Sequence, residues 1–167
     1  MRPDRPSARG AAGRPGLAIL AGGGIAATLD IVYACVSNAQ YFKTPLWVFQ
    51  AVASGWLGKE SFEGGVPAGA LGLASHYGIL FVAAGIYLAA SRRLAILHDQ
   101  PIVCGTLFGI AVYLFMNFVV LPLSAFPWRL VHDTARFAEG FASHALFVGM
   151  PIALCVRRFG AGGGGGG

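Results

Sequence analysis

Charged side chains are scarce in this chain: Lys, Arg, Asp and Glu together make 11% of its 167 residues, against 56% hydrophobic. A water-facing globule carries roughly a quarter of its residues charged, so a soluble domain is excluded. Cysteine is scarce as well. Cys35, Cys104 and Cys155 are odd in number and spread along the chain, which argues against a disulfide framework, and none has metal-ligand spacing. They read as small apolar fillers. Missing too are a glycine-rich phosphate loop, a Cys pair and paired carboxylates. Gly22-Gly-Gly24 follows no strand and opens a helix-packing face, not a nucleotide site. The expectation is a protein that is not an enzyme.

What the chain has is long apolar runs. Leu17 to Ser37, Val66 to Ala90, Pro101 to Leu123 and Phe137 to Val156 each reach the roughly 20 residues that cross a bilayer. The net charge of +5 does not call for nucleic acid, because the basic residues sit where membrane topology puts them. Arg2, Arg5, Arg9 and Arg14 precede the first run, Arg92-Arg93 follow the second, and Arg157-Arg158 follow the fourth. Lys43, Lys59, Arg129 and Arg136 fall on the other side, and eight against four predicts cytoplasmic termini. The first run has a basic flank, and Ser37-Asn-Ala39 resembles a signal-peptide cleavage site. Asp30 interrupts the run before that site, and keeping the run gives a consistent charge bias, so it is read as a retained span.

Residues 1–16 lack periodicity and read as a disordered cytoplasmic tail, 17–158 as a four-span membrane domain, and 159–167 as a flexible glycine tail. Thr44-Pro45 marks a helix start, and the segment to Leu57, with Trp47 and Trp56, is too short to span and suits the outer interface. Between spans three and four, Pro127-Trp128 anchors an aromatic, and Arg129 to Glu139 reads as a surface helix. The fold class is therefore all-α, a four-transmembrane-helix bundle with a short outer interfacial helix. Gly72-Leu-Ala-Ser-His76 and Gly140-Phe-Ala-Ser-His144 repeat at an offset of 68 residues, each followed by a double arginine, which suggests a two-fold parallel repeat.

Each span carries one conspicuous polar residue: Asp30, His76, Asn117 and His144. Counted from the cytoplasmic ends at 1.5 Å per helical residue, all four fall about 20–24 Å in, in one slab of the outer half. Gly23, Ala26, Ala27 and Ser37 give Asp30 a small, polar face, and Gly72 and Gly140 lie one turn before the histidines as helix-packing positions. Three readings follow. The four can hydrogen-bond across the bundle as a purely structural layer with no ligand. An Asp–His pair can instead relay protons or hold a transported cation. His76 and His144 could otherwise be axial ligands of haem b, or with Asp30 bind zinc or iron, so the cofactor and any metal stay open. His98 and His132 read as solvated loop histidines, Ser75 and Ser143 as packing residues, and Pro151 as a kink that frees a carbonyl near the layer. Four spans enclose little volume, so a transport pathway would call for a homo-oligomer in the lipid bilayer.

From His76 onward further residues carry a resemblance: Gly85-Ile-Tyr87, Gly105 and Gly109, Pro122, Pro127-Trp128, Glu139-Gly-Phe141 with His144, and Arg157-Arg158. On these the chain resembles the YagU-like family of bacterial inner-membrane proteins, across about half its length. The resemblance implies a multipass protein of the bacterial inner membrane and supplies location more than mechanism.

Overall fold

Prolines open three of the helices, where a missing N–H costs nothing because the first turn leaves it unpaired anyway. The structure, a computed structural model, describes residues 13–41, 44–128 and 134–160. Helix α1 runs Pro15–Ser37, α2 Pro45–Leu57 and α3 Gly65–Ser91. A short α4, Ile96–Asp99, precedes α5, Pro101–Leu123, and α6 is Thr134–Phe159. No strand occurs among the described residues, and α1, α3, α5 and α6 are long and apolar enough to cross a membrane. The described residues are thus all-α, and the four long apolar helices are those of an integral membrane protein. Its expected tails fall mostly outside the described residues, as do Lys43, Arg129 and His132.

The fourth span begins earlier than its hydropathy suggests. Thr134 to Glu139 belongs to α6 itself, so the expected separate surface helix over Arg129 to Glu139 is not seen in its described part. Glu139 is thereby the second turn of a membrane helix, a position the apolar run alone does not reveal.

Small residues set the packing. Helix α1 lies between α3 and α6, with Gly23 on Leu80 and Phe81 of α3 and Gly22 on Ile152 and Cys155 of α6. Helices α5 and α6 approach backbone to backbone, Gly109 against the His144 carbonyl and Gly149 against the Gly105 carbonyl. Without side chains there, dispersion contacts and Cα–H···O contacts replace the hydrophobic effect, which is weak between helices in lipid. Gly72 receives the Phe49 carbonyl of α2, and Gly140 receives the Tyr113 ring of α5. Both glycines thus lie against a neighbouring helix.

Two segments widen to i→i+5 hydrogen bonding, Met116–Val120 in α5 and His144–Gly149 in α6. The Leu121 N–H reaches the Met116 carbonyl, and the Met150 N–H reaches the Ala145 carbonyl. Each widening ends two residues before a proline, Pro122 or Pro151. A proline lacks a donor and crowds the carbonyl one turn earlier, so the preceding turn opens to find other partners. Pro151, expected to kink the span and free a carbonyl, is preceded by a widened turn that starts at His144.

The helices form an open arc in the order α2, α3, α1, α6, α5. At the end holding Arg92 and Arg157 the arc closes: Tyr87 stacks edge-on to Phe108 of α5, centroids 5.0 Å apart, and its hydroxyl donates to the Leu97 carbonyl at 3.2 Å. The Arg14 N–H donates to the Phe159 carbonyl at 2.8 Å, so the two ends of the membrane domain meet there. At the other end Trp47, Phe62 and Trp128 cluster, tying α2 to the loop after α5. Between α3 and α5 that end stays open.

Because the α5–α6 approach is set by backbone, a side chain at Gly109 must push the helices apart. Gly109→Val is expected to cost about 1–3 kcal/mol, as overpacked cores do, and to lower the thermal midpoint of the detergent-solubilised protein by several degrees. Gly78, with nothing within 4 Å of its position, is the control, and Gly78→Ala should leave the midpoint in place.

Candidate functional site

Span geometry brings three of the four polar residues together. Asp30 on α1 points between α3 and α6, and its two carboxylate oxygens each face one imidazole. His76 Nε2 lies 3.9 Å from Oδ2, and His144 Nδ1 lies 3.9 Å from Oδ1. The carboxylate is 15% exposed and the two imidazoles 11% and 21%, so the cluster is mostly but not wholly removed from solvent. A separation of 3.9 Å is within ion-pair range and beyond hydrogen-bond length, so a proton crosses only with a small side-chain shift or a bridging water.

Local bonds orient the histidines. His76 Nε2 is 3.1 Å from the Ala27 carbonyl, which can only accept, so Nε2 carries the hydrogen and Nδ1 is left as an acceptor. His144 Nδ1 is 3.3 Å from Ser143 Oγ, which also bonds the Gly140 carbonyl at 3.1 Å. Adjacent residues on a regular helix point apart, yet the wider turn beginning at His144 lets this pair meet. Ser75 behaves differently, donating to the Leu71 carbonyl and accepting from Trp56 Nε1 at 3.1 Å. The imidazoles thus meet Asp30 through different ring nitrogens, and among the described residues the widened turns lie only in the second half of the chain. Any two-fold repeat between the halves is not kept at the site.

Asn117 does not join the cluster. Its Nδ2 donates to the Tyr113 carbonyl at 2.9 Å, one turn back on its own helix, and it lines the neighbouring space without meeting Asp30. The orientation of its donor is decided by its own backbone. The residues that do extend the site are Tyr33 and Glu139. The Tyr33 hydroxyl donates to Glu139 Oε1 at 2.7 Å, joining α1 to α6. Tyr33 lies three residues from Asp30 on the face already noted as small and polar, and that was its available signal.

Two spaces meet at this cluster. A polar vestibule of about 290 Å³ is lined by Asp30, Tyr33, Asn117, Arg136, Glu139 and His144. A larger cavity of about 800 Å³ occupies the opening between α3 and α5, under α2, with Val52, Trp56, Val112, Met116 and Val120 among its walls. Asp30, His76 and His144 form its polar end, and Asp30 and His144 line both spaces. The carboxylate and one imidazole are therefore the partition between them.

Bis-histidine haem ligation does not fit this arrangement. It needs the two imidazole nitrogens on opposite faces of one macrocycle, whereas here the Asp30 carboxylate stands between them and His76 Nε2–H is held by Ala27. Among the described residues no group of three or more His, Cys, Asp or Glu is set to hold a metal ion.

A double-mutant cycle tests the partition. Asp30→Asn and His144→Gln, read by reversible unfolding in mixed micelles, should show a coupling of about 0.5–2 kcal/mol, the range of polar contacts between membrane helices. Asp30→Asn with Asn117→Leu should be additive; coupling as large as that to His144 would mean Asn117 belongs to the cluster after all.

No family model matches the chain, and no curated protein or solved structure is significantly similar to it, so what the site can do is read from its own geometry.

Proposed function

We propose that this chain is a non-enzymatic inner-membrane protein, similar to the YagU-like proteins, in which Asp30 passes protons between His144 and His76. The observation that carries this reading is the placement of one carboxylate within 3.9 Å of two imidazoles, at the boundary of two spaces of opposite character. Carboxylates and imidazoles exchange protons readily because each is a donor in one state and an acceptor in the other. Tyr33 and Glu139, joined by a 2.7 Å hydrogen bond, supply further exchangeable groups on the vestibule wall.

The relay has two ends and neither is the cytoplasm. Tyr87, Ile152 and Val156 are almost wholly buried below the cluster and close the bundle there. Exchange therefore runs between the vestibule and the lateral cavity: with Nε2 already carrying a hydrogen, His76 hands that hydrogen to Asp30 as its Nδ1 takes up another. Both spaces are built within one copy, so the relay needs no second subunit, and a homo-oligomer remains a separate proposal. Charge supports an orientation with the closed end in the cytoplasm: Arg14, Arg92, Arg93, Arg157 and Arg158 lie at that end and Lys59 and Arg136 at the open one.

Difference infrared spectroscopy on proteoliposomes tests the relay. An outside pH jump should change a carboxyl stretching band, Asp30→Asn should abolish that change, and Glu139→Gln should slow it without removing it. If the band persists in Asp30→Asn and the substitution lowers only thermal stability, the cluster is a structural layer. Orientation is checked independently, with alkaline phosphatase inserted beside Lys59 expected to be active and a fluorescent protein fused after Gly167 expected to fold in the cytoplasm.

A further inference from the structure

The closed end of the bundle, which the relay does not use, gathers charge of one sign. Arg14, Arg92, Arg93, Arg157 and Arg158 are all exposed there, and Asp99 is the one carboxylate described at that end. Among the described residues the ion pairs are those at Asp30, so the five guanidiniums have no acidic partner. The fold brings them in from three helices. Arg14 precedes α1, and its N–H bond of 2.8 Å to the Phe159 carbonyl sets it beside the Arg157-Arg158 doublet. Gly160 packs on Leu88, one turn before Arg92, so the ends of α6 and α3 touch as well.

Two general effects account for part of this. Arginines in short loops orient the spans, and at the C-terminal ends of α3 and α6 they meet the negative end of the helix dipole. Neither effect requires the charges to converge. The dipole also works against Arg14, which stands at the N-terminal end of α1, where the first turn has no acidic residue. Like charges gathered without a counter-charge repel one another, so the patch is complementary to an anion.

Its surroundings select the kind of anion. Leu154 lies one turn before Arg157 and Arg158 on the same face of α6, and Leu17 lies one turn past Arg14. Ile86 stands two turns before Arg93 on α3, and all three apolar side chains are exposed. Cations above an apolar wall match a phospholipid, whereas a water-soluble polyanion gains nothing from the wall. The number of arginines is informative too. A phosphodiester presents two free oxygens, the complement of one guanidinium fork, so five forks outnumber one phosphate. We infer that the closed end binds a phospholipid with two phosphates, a diphosphatidylglycerol, one phosphate at Arg92-Arg93 and the other at Arg157-Arg158 beside Arg14. Its acyl chains lie along the apolar side chains below. The site is independent of the proton relay, because the arginines and the Asp30 cluster occupy different levels of the bundle.

Native mass spectrometry of the full chain in detergent tests the site, with tetraoleoyl diphosphatidylglycerol and dioleoyl phosphatidylglycerol as probes. The two-phosphate lipid should bind at least about tenfold tighter, because its second phosphate then binds intramolecularly. Arg92→Gln and Arg157→Gln should each weaken that binding by about threefold to fivefold, the scale of one solvent-screened ion pair. Both positions are exposed, so the variants should fold. Arg92→Lys, which keeps the charge and loses the fork, should fall between Arg92→Gln and the unaltered chain. Lys59→Gln, at the opposite end, should leave the affinity in place. Equal affinity for the two lipids, or a loss in Lys59→Gln as large as in Arg92→Gln, would show unselective attraction to anionic lipid and overturn the site. Equal competition by inorganic pyrophosphate would show a phosphate patch without lipid recognition, and would overturn it too.

Discussion

One carboxylate held between two imidazoles governs this molecule. A lone ionised aspartate inside hydrocarbon is costly, and such residues persist in membrane helices where they have polar partners or reach water. Asp30 has both: the imidazoles of α3 and α6 at 3.9 Å, and a vestibule opening beside it. The partners must come from different helices, because neighbours on α1 itself cannot flank the carboxylate on two sides. The rest of the bundle is arranged so that α3 and α6 can both lie close against α1 at this one level.

Close approach is what the glycines and alanines of α1 provide. Gly22 and Gly23 sit back to back on neighbouring faces, one under α6 and the other under α3, eight and seven residues before Asp30. Had either carried a large side chain, one histidine would stand further from the carboxylate and an isolated charge would be left. The widened turn at His144 acts in the same direction. It is the cost of Pro151 in backbone bonding, and it begins at the residue whose ring nitrogen must reach both Ser143 and Asp30. Helix irregularity and site are thus one feature, consistent with the frequent occurrence of such turns at functional positions.

The parts legible in the sequence were those set by length and by the helical rise. Four apolar helices, with their ends to within a few residues for the first three, need only hydropathy and 1.5 Å per residue. What a helix faces is harder to read. In water a polar stripe betrays the outer face, but lipid is as apolar as the core, so α5 is hydrophobic all round and gives no sign that Asn117 would bond its own Tyr113 carbonyl. Glu139 was missed for a related reason: the apolar run starts near it, and a charged residue at a run's edge looks like surface. The opening between α3 and α5 depends on which helices are neighbours, and neither composition nor spacing encodes that.

The asymmetry of the bundle limits what the cluster can be. Toward the arginine-rich end, Tyr87 and Phe108 bridge the very helices, α3 and α5, that part company further out. A pore needs polar groups continuing through both halves, and buried Ile152 and Val156 offer none. A purely structural layer, on the other hand, would gain nothing from two adjoining spaces, since each weakens packing around the polar groups it was meant to fix. A charge relay that is wet on one side and apolar on the other needs both spaces, and needs the far half shut so that protons do not leak past it. The helices build two such spaces beside the cluster and a closed far half, and it is this combination that supports the proposed relay.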